Sequence, residues 1–260
     1  MYVLEYSEDF GGHADHFAFQ KTIIVYEMSG SIYRAYSRKR YASKDEIRVG
    51  DLFSTNKIQG ALIFPEFSDK FTKAETSSDC STWYLKKPSL SPYSPQYPAL
   101  IRETWIEEVK TCELLKNNPH PNIAQYHGCA VVDDGSIGGI YFTKVNSARR
   151  NKIDFAYERH QADRDEVNRW VEGIARGLKH LHRLGIVHND INPCNIMFQG
   201  DTPVIIDFDS ARPYGHDLSL VKRTHGWHDE RAKVALPMND LTALLEIQLW
   251  LSGEVDQFQF

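Results

Sequence analysis

Apolar and polar residues alternate with a period of two through much of the first third of the chain. Phe17–Tyr26, Ser31–Tyr36 after the turn-forming Met28-Ser29-Gly30, Ala61–Phe64 and Ser81–Lys86 each read as a short β-strand. Together they predict a small antiparallel sheet. Between Lys87 and Pro98 stand Pro88, Pro92, Pro95 and Pro98 with Ser89, Ser91 and Ser94, a composition that continues neither a helix nor a central strand, so a loop is expected. Leu100–Lys116 then takes helical periodicity, with Ile101, Trp105, Cys112 and Leu115 on one stripe. The position completing that stripe is Glu108, which the spacing turns inward while Glu107 faces elsewhere. An inward carboxylate needs a partner, because burying it unpaired costs several kcal/mol. A second helix carries Val167, Trp170, Val171, Ile174, Leu178 and Leu181 at helical spacing. Asp163 and Glu166 form a capping-box-like start, and Gly185 stands where a left-handed cap is expected. The period then returns to two, giving a hairpin of Asn195–Phe198, the turn Gln199-Gly200-Asp201, and Pro203–Phe208.

Composition narrows the class. The 260 residues are 42% hydrophobic and 25% charged, values of an ordinary globular protein large enough for one big domain or two lobes. Thirty basic against 35 acidic side chains give a net charge of −5, and the longest basic block is Arg38-Lys39-Arg40, so no nucleic-acid partner is expected. Cys80, Cys112, Cys129 and Cys194 are dispersed without a CxxC pair, and the N-terminus lacks the order of a signal peptide. Even Leu244–Leu251 is interrupted by Glu246 and Gln248, so no membrane span is expected. The chain reads as cytoplasmic or otherwise intracellular, with reduced thiols.

Candidate chemistry gathers at the second helix and its hairpin. Asn195 opens one strand and Asp207 closes the other, so antiparallel pairing brings carboxamide and carboxylate together, with Asp190 on the preceding loop. Such oxygen donors suit a hard cation such as Mg²⁺, which takes few protein ligands. His13-x2-His16 and His225-x2-His228 have no third clear ligand and read as surface histidines. Cys194 has no basic neighbour in sequence to lower its pKa and reads as a packing residue.

His188-x-Asp190-x4-Asn195 followed by Asp207-Phe208 resembles the catalytic loop and metal motif of the protein-kinase-like superfamily. Pro119-His120-Pro121-Asn122-Ile123, Gly177-Leu178-x2-Leu181-His182, Gly226-Trp227 and Asn239-Asp240-Leu241 are similar to further kinase motifs in the same order, across about Ser81–Leu251. The resemblance implies a bilobal α+β fold: residues 1–50 a β-rich N-terminal extension, 51–143 a β-rich N-lobe, 144–260 a short, mainly helical C-lobe. It implies ATP and Mg²⁺ as cofactors, with Asp190 as catalytic base and Asn195 and Asp207 as metal ligands. Lys86 holds the α- and β-phosphates and Glu108 is its helix partner, Lys87 being an adjacent competitor. Phe142 plugs the back of the nucleotide cleft, Thr143 and Lys144 start the hinge, and Arg149–Lys152 is a solvated connector. His188 and Asp240 are structural, Asp240 tying down the catalytic-loop backbone.

The departures from the pattern are equally specific. No Gly-x-Gly-x-x-Gly precedes Lys86, leaving Pro65–Phe71 as the candidate phosphate-covering hairpin. Tyr84 replaces the usual alanine two residues before the lysine and either fills the adenine pocket or stacks on adenine, as in the similar Tyr-Leu-Lys of aminoglycoside phosphotransferases. Asn192 stands where Ser/Thr protein kinases carry a lysine that touches the transferring phosphate. Asn189 replaces the usual arginine, so no phosphorylated activation loop is expected, and Asp209 replaces a glycine. Lys86–Leu90 is similar to fungal kinase-like proteins. The acceptor hydroxyl is a protein Ser/Thr or a small metabolite, since little of the peptide-docking subdomain follows Asp240. The alternative is a pseudokinase acting as a binding or scaffold module.

Overall fold

The computed structural model of the chain describes residues 1–11, 18–75, 82–145 and 163–254. Phe17, His13, His16, Cys80, Ser81 and Arg149–Lys152 lie outside them. The described residues divide into two compact units, the first made of residues 1–66, 87–105 and 132–138, the second of residues 67–86, 106–131 and 139–260.

The first unit is built on a four-stranded antiparallel sheet of β1 (Tyr2–Gly11), β2 (Ala18–Met28), β3 (Ser31–Ser37) and β4 (Phe53–Lys57), in that spatial order. The β2–β3 hairpin closes through Ser29 at φ 52° and Gly30 at φ 70°. Two successive positive φ values make a type I′ turn, whose twist matches that of the strands. Consecutive residues of β2 are buried on opposite faces. Val25 packs with Ile58, Ile63, Leu90, Tyr93 and Ile101, and Ile24 and Tyr26 with Val3, Ala35 and Ile47.

The Pro-rich stretch after Lys87 is a loop, as its composition predicts, but it is a covering element because Leu90 and Tyr93 are buried. Glu5 on β1 fastens it. The Glu5 carboxylate accepts hydrogen bonds from Ser89 Oγ at 2.8 Å, Leu90 N at 3.0 Å and Ser91 Oγ at 3.0 Å. Ala61–Phe64 is not the strand its pattern predicts. Gly60–Leu62 is a single 3₁₀ turn, with Ile63 N donating to Gly60 O at 2.9 Å. A four-residue apolar run carries too little periodicity to separate a strand from a plug, and Ile63 acts as the plug.

The second unit holds a three-stranded sheet of β5 (Trp83–Lys86), β6 (Tyr126–Val131) and β7 (Ile137–Thr143), ordered β5-β7-β6. The antiparallel β5–β7 register runs from Trp83 opposite Thr143 to Lys86 opposite Ile140. Its other elements are the later part of α1 (Leu100–Asn117), α2 (Arg164–Arg183), β8 (Ile186–Val187), β9 (Ile196–Gln199), β10 (Thr202–Ile205), β11 (Arg212–Pro213) and α3 (Pro237–Leu251). The mixed sheets and helices make the chain α+β.

Asp163 caps α2, its side chain accepting from Glu166 N at 2.7 Å, and Gly185 at φ 78° follows the helix end. The buried stripe of α2 contains Gly173 and Gly177 among larger apolar residues. A Cβ at 173 would overlap the Pro203 ring on β10, and one at 177 would sit 3.0 Å from Asn122 O. These glycines therefore let α2 lie directly on the β9–β10 hairpin. Gly173→Ala should lower unfolding stability by about 1–3 kcal/mol through overpacking, although the same change in an exposed helix gains up to about 1 kcal/mol. A urea-midpoint comparison checks the sign. Among the described residues no helix is long and apolar enough to cross a membrane.

Candidate active site

The β9–β10 hairpin and the segments flanking it set the polar groups. Ile206 N donates to Asn195 O at 3.0 Å, linking the residue before Asp207 to Asn195. His188 Nε2 donates to Ile206 O at 3.1 Å from beneath, so His188 is a buried structural ring. Asp207 has φ 63° and Asn189 has φ 64°, conformations that non-glycine residues adopt at a cost of about 1–3 kcal/mol and that surrounding contacts must impose. For Asn189 those contacts come from α3. The wholly buried Asp240 accepts from His188 N at 2.9 Å, Asn189 N at 2.7 Å and His182 Nε2 at 2.8 Å.

β5 carries Lys86 to the centre of three carboxylates. Its Nζ lies 2.5 Å from Glu108 Oε1 and 2.5 Å from Asp207 Oδ1. Glu108 is 0% exposed, so the inward turn read from the α1 stripe holds, and its partner is Lys86, not Lys87. Burial works to lower the Lys86 pKa, but Glu108, Asp207 and Asp209 outweigh it and hold the ammonium well above its usual range. Burial pushes the Glu108 carboxyl up to about 7 against the pull of Lys86. Asp207 stays below the usual carboxylate value, because Lys86 and His188 overcome its burial. One cation thus serves three acids, and the most buried acid is the hardest to ionise.

Asp190 is held from two sides. Its Oδ1 accepts from Thr224 N at 2.7 Å and its Oδ2 from Asn195 Nδ2 at 3.1 Å. Asn192 Nδ2 reaches Asp190 O and Thr224 Oγ1, each at 3.1 Å, and its Oδ1 accepts from Cys194 N at 2.8 Å. A cavity of about 530 Å³ is walled by Tyr84, Lys86, Phe142, Thr143, Met197 and Asp207. Tyr84 is 57% exposed, so its ring does not plug the cavity; Phe142 is buried. Thr143 Oγ1 is tied to His127 Nε2 at 2.7 Å.

The structure thus joins Lys86, Glu108 and Asp207 in direct contact, links Asp190 to Asn195, and sets Tyr84, Phe142 and Thr143 on one wall. Pro65–Phe71 forms no hairpin: Phe71 N donates to Ser68 O at 2.8 Å, closing a turn. Sequence reasoning did not reach Thr224, although it stands two residues before the Gly226-Trp227 motif, nor the wall residues Met197 and Ile206, whose apolar side chains carry no signal of chemistry; Cys194, read as a packing residue, is instead exposed on that wall.

A family model described as the protein kinase domain matches residues 71–228, more than half of the chain. The chain belongs to the protein kinase family. Over 153 residues it is 32% identical to mitogen-activated protein kinase kinase kinase 1 of Arabidopsis thaliana, covering 58% of this chain and 24% of the relative. Over 111 residues it is 30% identical to the MAPK/MAK/MRK overlapping kinase of Mus musculus, covering 41% of this chain and 26% of the relative. The chain therefore spans about a quarter of the length of these curated relatives.

Proposed function

We propose that this protein kinase family chain is an ATP- and Mg²⁺-dependent phosphotransferase that moves a γ-phosphoryl group to a hydroxyl of a protein Ser/Thr side chain or a small metabolite. One observation carries the reading: Lys86, bridged to Glu108 and Asp207 at 2.5 Å each, lies on the wall of a cavity that Tyr84 leaves open. In this reading Lys86 holds the α- and β-phosphates, Glu108 fixes Lys86, and Tyr84, Phe142 and Thr143 line the base pocket.

The donor set fits magnesium. Asn195 uses its Nδ2 on Asp190, which leaves its carboxamide oxygen as acceptor, and Asp207 engages Lys86 through Oδ1 only. Two hard oxygens with room for water and phosphate are what Mg²⁺ takes, and the ion, when bound, neutralises phosphate charge. Asp190, oriented by Thr224 N–H and Asn195, accepts the proton of the acceptor hydroxyl. As that oxygen bonds to the γ-phosphorus, the bond from phosphorus to the bridging oxygen breaks and ADP leaves. ATP supply and the buried thiols of Cys112 and Cys129 fit an intracellular setting.

A second reading, a pseudokinase binding module, draws on the missing hairpin at Pro65–Phe71. A thermal-shift titration with ATP, with and without Mg²⁺, separates the two. Stabilisation of about 2.7 kcal/mol at a hundredfold excess over Kd is expected, dependent on Mg²⁺ and lost in Asp207→Ala. Absence of any shift at millimolar nucleotide would sink the enzyme.

A further inference from the structure

Lys86 faces Glu108, Asp207 and Asp209. A triphosphate entering such a site needs more positive charge than one ammonium supplies. At position 192, where the kinase pattern has a lysine, this chain has Asn192. The Asn192 side chain is neutral and fully engaged with Asp190 O, Cys194 N and Thr224 Oγ1.

The same Thr224 brings another cation in. Its backbone N–H donates to Asp190 Oδ1 at 2.7 Å, and the nitrogen that makes this bond is joined directly to the carbonyl carbon of the residue before it. That residue is Arg223, which is partly buried and donates through Nη1 to Asp229 O at 3.4 Å. Burial holds its pKa below the usual arginine value, and the carboxylates of Asp190, Asp229 and Glu230 act in the opposite sense.

Nearby basic groups are less suited. His228 lies in the same cluster, but burial lowers its pKa and so favours the uncharged ring. Lys144 lines the cavity beside Thr143, away from the contacts that hold Asp190. Lys222 is exposed, and its carbonyl is taken by Ser210 Oγ at 2.6 Å.

We propose that Arg223 supplies, from the segment after the metal motif, the positive charge at the transferring phosphoryl group that position 192 no longer provides. The guanidinium fork suits phosphate oxygens, which it can grip through two parallel N–H bonds. Arg223 forms no covalent bond: it stabilises charge while the acceptor proton passes to Asp190. This inference rests on the phosphotransferase reading above.

The test uses the full chain and four proteins: wild type, Arg223→Gln, Arg223→Lys, and Arg223→Gln combined with Asn192→Lys. Two quantities are read, the Mg²⁺-dependent release of ADP from ATP, and the extra thermal shift given by MgATP over MgADP. Arg223→Gln should reduce ADP release about 10²–10³-fold and abolish the preference for ATP over ADP, with the ligand-free melting temperature unchanged. Asn192→Lys added to it should return at least about tenfold of the lost rate, since the charge is restored from the other side of Thr224.

Wild-type turnover and an intact ATP preference in Arg223→Gln would overturn the proposal, as would a folded double variant with no rescue. Should Arg223→Gln fail to fold, Arg223→Lys decides: retention of the ATP preference supports a charge role, and its loss in a folded protein refutes it. A wild type that shows no MgATP shift overturns the phosphotransferase reading itself, and this inference with it.

Discussion

Lys86→Met is expected to remove both stability and phosphotransfer. The substitution leaves Glu108, 0% exposed, as a buried carboxylate without its cation, a change that typically costs about 3–5 kcal/mol. Glu108→Leu placed on top of Lys86→Met should recover most of that stability, because an apolar residue in place of a buried ion pair is often neutral, yet turnover should stay at background. The pH dependence has a definite sign. In the folded chain Glu108 keeps its proton up to about 7, whereas its ordinary value is 4.5. The folded state therefore binds more protons in that window, and this group lowers unfolding stability as pH rises through it. The Lys86→Met penalty should be larger near about pH 8 than near about pH 5, and the double variant should lose this slope. Urea midpoints at the two pH values, with ADP release measured on the same samples, check all three statements.

Asp240→Ala should be the second severe change. Asp240 is the shared acceptor for His188 N, Asn189 N and His182 Nε2. Its removal orphans two buried backbone amides at about 1–3 kcal/mol each and releases the contact that holds Asn189 at φ 64°. The expected loss is about 2–6 kcal/mol, with turnover falling further than the folded fraction accounts for, because Asp190 follows Asn189 directly. Asp240→Asn should fall between, since its amide keeps one acceptor oxygen but presents a donor to a donor. Chemical denaturation read beside ADP release distinguishes the two components.

How much of this was legible depended on whether a residue's signal was local. Glu108 could be read as inward because it interrupts an apolar stripe, and periodicity needs only a few turns of helix to show that. Asp163, Gly185 and the β9–β10 hairpin were legible for the same reason, their caps and turns being written within a few residues. Ala61–Phe64 misled because Ile63 is apolar as a plug of the Val25 face, a tertiary role with no period of its own. The fastening of Ser89 and Ser91 by Glu5 joins residues more than eighty positions apart, and nothing near Glu5 announces it. Thr224 escaped because it acts on Asp190 through its backbone amide, a group every residue but proline possesses. Arg223 escaped because a lone arginine in a polar stretch reads as solvated until the amide beside it is seen holding a carboxylate.

The first unit is discontinuous in the chain, made of residues 1–66, 87–105 and 132–138, and that has a consequence during synthesis. Proteins emerge from the ribosome N-terminus first. The four strands are complete once Lys57 has appeared, but Leu90, Tyr93 and Ile101, which cover the Val25 face, are still to come. For that interval the nascent sheet carries a bare apolar surface, and closing it requires contacts at long sequence separation, which form slowly. Residues 67–86 of the second unit are already outside by then. The β-rich unit is therefore not a module that finishes before its neighbour begins. Its last segment ends at residue 138, so the stage vulnerable to aggregation or chaperone capture comes while the segment carrying Asp190 and Asp207 has yet to be made.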